Sequence, residues 1–221
     1  MRLDKLAKAI AANEIPQAGH SVVVYGPPKV GKTRLLATAA ECEALDTIYW
    51  FDNEKGFDTL MTMIAEGELS EEAAAKILII PVIDLSDGKV LPRKPAKVGE
   101  EHGVLEFQIS KLTPRDAVVV DSLSQLGDSA LNGTCVGTDY TFKPLLDNYG
   151  LARKWLVDCL VIIQQAQFCN FLCATHEFIL EEEGKAPRYY PMCGSTTLSP
   201  LVGKYFGTAV YMQKQGGKHK A

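Results

Sequence analysis

Residues 26–33 have the sequence GPPKVGKT and match the pattern G-x-x-x-x-G-K-[ST] in full. The glycines let the backbone curl so that successive N–H groups point toward one bound anion. A strand-like run, SVVVY, comes directly before the motif, and a helix-like run, RLLATAAECEAL, comes directly after it. The start of that helix adds its positive dipole end to the site. The motif therefore predicts a phosphate-binding loop, with a glycine-rich turn that binds nothing as the alternative.

The ligand expected at this loop is a nucleoside triphosphate with Mg²⁺. Lys32 is predicted to reach the β- and γ-phosphates, and the hydroxyl of Thr33 is predicted to bind Mg²⁺. We expect further contacts to the nucleotide from the other loop residues and from the first turn of the helix. These residues are Gly26, Pro27, Pro28, Lys29, Val30, Gly31 and Arg34.

A carboxylate at the end of a neighbouring buried strand would complete the magnesium site. Residues 117–121 read AVVVD, so Asp121 ends an apolar run and is followed by Ser122. Asp121 is therefore the second predicted Mg²⁺ ligand. The alternative is that Asp121 only caps a helix over residues 123–131.

Hydrolysis needs a further group that orients or deprotonates water. The run TIYWFDNEKGFD places Asp52 and Glu54 just past a second strand. Glu54 is the predicted catalytic residue, because its position beyond the strand leaves it freer to point toward the γ-phosphate, and Asp52 is held in reserve. The alternative is that Glu54 is an ordinary loop acid or caps the helix that begins at Phe57.

Polar residues also end the fifth strand-like run, CNFLCATH. Such residues face the ligand crevice, so Thr175 or His176 is a candidate to hydrogen-bond the γ-phosphate and to sense hydrolysis. His176 is the one that we assign to the nucleotide site. The alternative is that His176 is a structural residue at a strand end.

The elements that must position these residues are strands separated by helices. Each strand-like run is nearly continuous in apolar residues, which predicts a parallel sheet covered by helices on both faces. The fold class is therefore α/β, with ligands expected at the carboxyl ends of the strands. The length of 221 residues suits one domain over residues 1–221, with a short N-terminal helix at 2–13 and an exposed excursion at about 85–103.

Four further segments have expected structures. Residues 57–76 are predicted to form one or two helices interrupted near Gly67, and residues 144–167 are predicted to form a long amphipathic helix. Residues 127–143 contain three glycines and are expected to be a loop. Residues 178–192 are expected to form a hairpin or long loop around Gly184.

Composition excludes several classes of protein. Hydrophobic residues make up 47% and charged residues 23%, which excludes a mostly disordered chain. No apolar run is long enough for a transmembrane helix, and no signal peptide is apparent, so we expect a cytoplasmic protein without a membrane partner. The formal net charge of −4 indicates that any contact with nucleic acid is local. The basic stretches at 89–97 and 214–220 are expected to be a solvated loop and a frayed terminus.

The runs GPPKVGKT, FDNE, VVVDS and ATHE, in this order, resemble the RecA-like branch of P-loop ATPases over residues 20 to about 212. The small size and the closing pattern PRYYPMCGSTTLSPLVGKYFGTAVYM are similar to compact phage nucleotide-binding (AAA-type) recombination ATPases. The resemblance implies a RecA-like core, ATP and Mg²⁺ as ligands, activation of water by Glu54, and a homo-oligomeric ring or filament. It also implies recombination or replication of phage DNA in a host cytoplasm.

The resemblance further implies that loops 127–143 and 177–195 face single-stranded DNA. The second loop contains aromatic and cationic residues that suit base stacking and backbone attraction, namely Lys185, Arg188, Tyr189 and Tyr190. Three successive glutamates from residue 181 oppose this, and the alternative is a hairpin that packs its tyrosines on the core. A cation from the next subunit is also implied, with four candidates: Arg153, Lys154, Lys214 and Lys218.

Two other functions use the same loop. A small-molecule kinase would need several arginines to clamp its donor and acceptor phosphates, and this chain has six arginines without a cluster. A nucleotide-binding adaptor without significant hydrolysis would need only the loop itself. A requirement for a phosphate acceptor identifies the kinase, and substitution of Glu54 separates the ATPase from the adaptor.

Overall fold

The computed structural model describes residues 19–81, 112–134, 144–165, 168–215 and 218–220. The helix expected at 2–13 and the excursion expected at about 85–103 lie outside the described residues. None of the described helices is long and apolar enough to cross a membrane.

A seven-stranded sheet, parallel except for one strand, forms the centre of the described chain. The strands are β1 (Ser21–Gly26), β2 (Thr47–Asp52), β3 (Ile77–Pro81), β4 (Asp116–Asp121), β5 (Asn170–Leu180), β6 (Arg188–Pro191) and β7 (Thr208–Tyr211). Their order is β3-β2-β4-β5-β1-β7, and β6 pairs antiparallel with the far end of β5. This arrangement confirms the predicted α/β class.

Helices connect the strands and cover the sheet. They are α1 (Lys32–Ala37), α2 (Phe57–Ala65), α3 (Glu71–Ala75), α4 (Leu123–Thr134), α5 (Leu146–Gln165) and α6 (Ser199–Val202), with short 3₁₀ turns at Thr38–Glu41 and Gly203–Tyr205. The break between α2 and α3 falls around Gly67, as predicted. The helix predicted for 144–167 begins at Leu146 and is described to Gln165.

The core lies on both faces of the sheet because successive residues of a strand point to opposite sides. Val23 and Val118 pack in one apolar cluster, and their neighbours Val24 and Val119 pack in the other. The first cluster contains leucines of α4 and α5, and the second contains leucines of α1 and α2. Because both faces of the sheet are filled, its strand ends provide the edge where polar groups can meet a ligand.

Residues 127–134 form the last eight residues of α4, so the loop predicted over 127–143 is wrong for this part. Residues 135–143 lie outside the described residues. Gly127 lowers the intrinsic helix propensity, but it also lets α4 approach another segment closely. A Cβ at Gly127 would lie 2.5 Å from the backbone nitrogen of Gly194. The close packing of α4 against the backbone at Gly194 therefore overrides the local preference of residues 127–134 for a loop.

The hairpin predicted around Gly184 is confirmed, and the tail is more ordered than the sequence indicates. Strand β5 continues past His176 to Leu180 and pairs with β6, which makes residues 177–191 a β-hairpin. The tail, expected to be frayed, contains β8 (Gln213–Gln215) paired antiparallel with β9 (Lys218–Lys220). In the tail, strand pairing supplies the order, and this pairing is not visible in local composition.

Candidate functional site

The predicted site residues meet at the carboxyl ends of four neighbouring strands. Register places Gly26 of β1 beside His176 of β5, and Asp52 of β2 beside Asp121 of β4. An open cleft of about 920 Å³ lies at this edge. Five residues with assigned chemistry line it together: Lys32, Thr33, Glu54, Asp121 and His176.

The phosphate-loop motif forms the turn between β1 and α1. Gly26 has φ +153°, and a Cβ there would lie 2.2 Å from the carbonyl oxygen of Met212, so this position requires glycine. Gly31 has φ +94° and immediately precedes α1. The buried Lys32 ammonium donates hydrogen bonds of 2.9 Å to the carbonyl oxygens of Gly26 and Pro27. The lysine is thus held inside the loop it is predicted to serve.

Lys32 is surrounded by acidic groups. Burial lowers the pKa of Lys32, whereas the carboxylates of Glu54, Asp121 and Glu177 act in the opposite direction. The first two of these were predicted to lie at the site, and Glu177 was not. The cleft therefore places the Lys32 ammonium group among several carboxylates.

Asp121 is the most deeply buried of the acidic residues in the cleft, with 3% of its surface exposed. Its Oδ2 accepts a 2.9 Å hydrogen bond from the Thr33 hydroxyl. Burial raises the pKa of Asp121 to about 6; Thr33 lowers it, Glu54 and Asp52 raise it, and Lys32 lowers it. The helix cap that was the alternative interpretation for Asp121 is supplied by Ser122, whose hydroxyl oxygen accepts from the backbone N–H of Gln125 at 3.3 Å. Asp121 is a buried carboxylate whose charged form lacks sufficient compensation, and a cation would stabilise it.

The donor set at Thr33 and Asp121 fits Mg²⁺. A hydroxyl and a carboxylate offer hard oxygen ligands, and Mg²⁺ is commonly bound by one or two carboxylates together with the phosphates of a substrate. Within the described residues, no group of three or more His, Cys, Asp or Glu side chains could hold a metal ion.

Asp52 has a role in the fold. Its carboxylate accepts hydrogen bonds from the backbone N–H groups of Glu54, Gly56 and Phe57, at 3.3, 2.7 and 3.0 Å. These bonds satisfy donors at the start of α2, where free N–H groups need acceptors. Asp52, and not Glu54, therefore stabilises this helix start, and the carboxylate of Glu54 remains available to the cleft.

Glu54 and His176 lie next to each other. Oε1 of Glu54 accepts a hydrogen bond from the Ser122 hydroxyl and lies 3.7 Å from Nε2 of His176. Nδ1 of His176 is buried and has no hydrogen-bond partner among the described residues. Thr175 is buried and donates its hydroxyl to the carbonyl oxygen of Met192. Of the two sensor candidates, His176 therefore lines the cleft, whereas Thr175 bonds to the residue that follows the hairpin.

Arg34 lines the cleft but is already paired. Its guanidinium donates hydrogen bonds of 2.7 Å to Glu66 and to Glu68, at the end of α2 and just beyond it. These pairs raise the pKa of Arg34. The nucleotide contact predicted for Arg34 would have to compete with both carboxylates.

A tyrosine cluster near the phosphate loop was missed by sequence reasoning. The ring of Tyr211 lies 5.1 Å from that of Tyr25 and 5.2 Å from that of Tyr189. The Tyr211 hydroxyl donates a 2.8 Å hydrogen bond to Glu177, and burial together with this contact raises the pKa of Tyr211 to about 12. The sequence carries a signal for this cluster, because the strand runs SVVVY and TAVY both end in tyrosine.

The β5–β6 hairpin presents one exposed aromatic and two paired cations. Tyr189 is 40% exposed. Lys185 and Arg188 both donate to the carboxylate of Glu182, the latter at 2.7 Å. The two cations predicted to attract DNA therefore share one carboxylate within the hairpin. Among the candidates for action on a neighbouring subunit, Lys154 is paired with Asp158 at 2.7 Å.

Comparison with solved structures finds similar folds. An ATPase from the type III secretion system of pathogenic bacteria matches with a TM-score of 0.52 and 12% identity, over 89% of this chain and 53% of the other. The RadB recombinase matches with a TM-score of 0.47 and 16% identity, over 95% and 81% of the two chains. The flagellar accessory protein FlaH from Methanocaldococcus jannaschii matches with a TM-score of 0.44 and 14% identity, over 99% of this chain and 82% of the other.

The first of these matches shows the fold alone, because the identity is low. This chain has a RecA-like P-loop NTPase fold, and it spans about half the length of the secretion ATPase. No family model and no curated protein matches the sequence.

Proposed function

We propose that this chain binds Mg²⁺–ATP and hydrolyses it. One observation carries the proposal: the 2.9 Å hydrogen bond between the Thr33 hydroxyl and the Asp121 carboxylate. This bond joins the end of the phosphate-loop motif to a buried acid of β4, and Glu54 lines the same cleft. A structural glycine turn would require neither an acid with a raised pKa nor a second carboxylate facing the cleft.

In this proposal, different residues bind the phosphates, hold the metal ion and activate water. Backbone N–H groups of the loop bind the phosphates, and Lys32 adds its positive charge. Thr33 and Asp121 would hold Mg²⁺, which when bound neutralises charge on the phosphates. Glu54 accepts a proton from the attacking water as its oxygen bonds to the γ-phosphorus, and the bond to the ADP oxygen breaks. His176 binds a γ-phosphate oxygen from the neighbouring strand.

We extend the proposal to a homo-oligomer, a ring or filament, that acts with single-stranded DNA in phage recombination or replication. The support is the resemblance of the sequence motifs and the exposed Tyr189 on a hairpin that continues a site strand. The pairing of Lys185 and Arg188 with Glu182 indicates that electrostatic attraction at this hairpin is weak. Stacking on Tyr189 would then provide more of the contact.

The kinase alternative is less well supported by the cleft. Among the described residues that line it, Arg34 is the single arginine, and its guanidinium is bound to Glu66 and Glu68. Transfer between two phosphorylated substrates would need cations that are free to clamp both. The described cleft offers Lys32 together with Lys29, both within the loop itself.

The test is steady-state ATP turnover by the full chain, with and without single-stranded DNA. Native protein should turn over ATP in the presence of Mg²⁺, faster with DNA, and Glu54→Gln should lower turnover by about a hundredfold or more while retaining ATP binding. Glu72→Gln, an exposed glutamate of α3, is the matched control and should behave as the native chain does. Nucleotide binding without turnover would favour the adaptor. Turnover that requires a phosphate acceptor would favour the kinase, and indifference to DNA would remove the recombination setting.

A further inference from the structure

Two serines that follow β4 connect Glu54 to the interior of the protein. Ser122 is 1% exposed and Ser124 is also buried. The Ser122 hydroxyl donates to Oε1 of Glu54, and the two serine oxygens lie 2.8 Å apart. The backbone N–H of His176 donates to Oγ of Ser124 at 3.4 Å. Neither serine is needed to explain phosphate or metal binding.

The direction of these hydrogen bonds is determined by their chemistry. A serine hydroxyl has one proton to donate and two lone pairs that accept. The proton of Ser122 is used for the Glu54 carboxylate, which can only accept. The proton between the two serines must therefore come from Ser124, whose oxygen accepts from His176. The result is a directed chain from the β5 backbone through two hydroxyls to one oxygen of Glu54.

The main chain of Ser122 is held in place from β2. The side-chain amide of Asn53 bonds both the N–H and the carbonyl oxygen of Ser122, the latter at 3.0 Å. The backbone N–H of Asn53 also donates to the carbonyl oxygen of Asp121 at 3.0 Å. Asn53 immediately precedes Glu54, so the two segments that carry the donor and the acceptor are tied together. The hydroxyl is thus fixed relative to the carboxylate it bonds.

We propose that Ser122 is a positioning residue for Glu54, and that Ser124 supports it by directing its proton. The inference rests on the proposed function, in which Glu54 activates water. Holding Oε1 restricts rotation of the carboxylate, while Oε2 has no partner among the described residues and is left to bond water. A small error in the placement of a catalytic group lowers the rate of the chemical step without weakening substrate binding. Ser122 therefore contributes to kcat and not to nucleotide affinity.

The test compares Ser122→Ala and Ser124→Ala with the native chain in ATP turnover and in equilibrium binding of ATP. We expect kcat to fall by about tenfold or more for Ser122→Ala and by less for Ser124→Ala, with KM and the binding constant within about twofold of native. The matched control is Ser199→Ala, because Ser199 is also 1% exposed and its hydroxyl makes two backbone contacts, to Ser195 and Cys193. It should lose stability and keep kcat.

A double-mutant cycle separates positioning from a structural role. Turnover is measured with enzyme in excess, so that slow variants are quantified. In a Glu54→Ala background Ser122→Ala should cause no further loss, because the residue acts through Glu54. An equal loss in both backgrounds, or an unchanged or raised kcat for Ser122→Ala alone, overturns the inference.

If Ser122→Ala does not fold, Ser124→Ala decides by the same criteria. If Glu54→Ala itself retains full turnover, or the native chain has none, the proposed function fails, and this inference fails with it.

Discussion

Replacing Asp121 by asparagine should make the ligand-free protein more stable at neutral pH. The carboxyl is buried, and its pKa is about 6 compared with an ordinary value of 3.8. Each pH unit of difference corresponds to about 1.36 kcal/mol, so the charged form costs the folded state about 3 kcal/mol. Asparagine removes the charge, and its side-chain oxygen can still accept the hydrogen bond from Thr33.

The stabilisation by Asp121→Asn should depend on pH, because it arises from the ionised form of Asp121. Between pH 3.8 and about 6 the folded protein binds more protons at Asp121 than the unfolded chain does, so the contribution of Asp121 to stability falls as pH rises through this window. The difference between Asp121→Asn and native should therefore be small near about pH 4 and approach about 3 kcal/mol above about pH 7. Urea unfolding at both pH values measures it.

Asp116→Asn is the matched control, because Asp116 begins the same strand that Asp121 ends. Its carboxylate accepts two hydrogen bonds from Thr113, of 2.7 and 2.8 Å, and Asp116→Asn should lose about 1 kcal/mol. Addition of Mg²⁺ and ATP should stabilise the native chain and have much less effect on Asp121→Asn. An Asp121→Asn protein that is less stable than native at neutral pH without ligand would refute this account of the buried charge.

Three further substitutions test the roles of the loop and the helix start. Lys32→Ala should abolish measurable ATP binding by calorimetry and leave a folded protein, because the ammonium bonds only carbonyl oxygens of its own loop. Asp52→Asn should cost about 1–2 kcal/mol in urea unfolding, because an amide cannot accept all three N–H groups at the start of α2, and it should retain ATP binding. Gly26→Ala should prevent normal folding, seen as loss of the cooperative unfolding transition, because its Cβ would meet the Met212 carbonyl at 2.2 Å.

Local sequence predicted the strands and the polar residues at their ends, because a short contiguous segment determines each of them. The motif GPPKVGKT carries its own turn geometry, and an acid that ends an apolar strand must lie at the edge of the sheet. Asp121 and Glu54 both line the cleft for this reason. The alternation of Val118 and Val119 between two apolar clusters follows from the same runs.

Contacts between distant segments could not be predicted from local sequence. Asp52 and Glu54 are both acids after one strand, and only the turn of the backbone at residues 54–57 determines which of them binds the N–H groups. The bonds from Asn53 to Ser122 depend on β2 and β4 being neighbours in the sheet. Gly127 indicated a loop because the residue that it approaches closely, Gly194, is distant in sequence and gives no local signal.

The measurement that tests the central claim most directly is the rate of phosphate release from ATP by native protein and by Glu54→Gln, with ATP affinity measured on the same samples. The account predicts that affinity stays within about twofold while the rate falls by about a hundredfold or more, since a general base contributes on that scale. A rate that is unchanged in Glu54→Gln, or that falls only in proportion to a loss of ATP affinity, would contradict it.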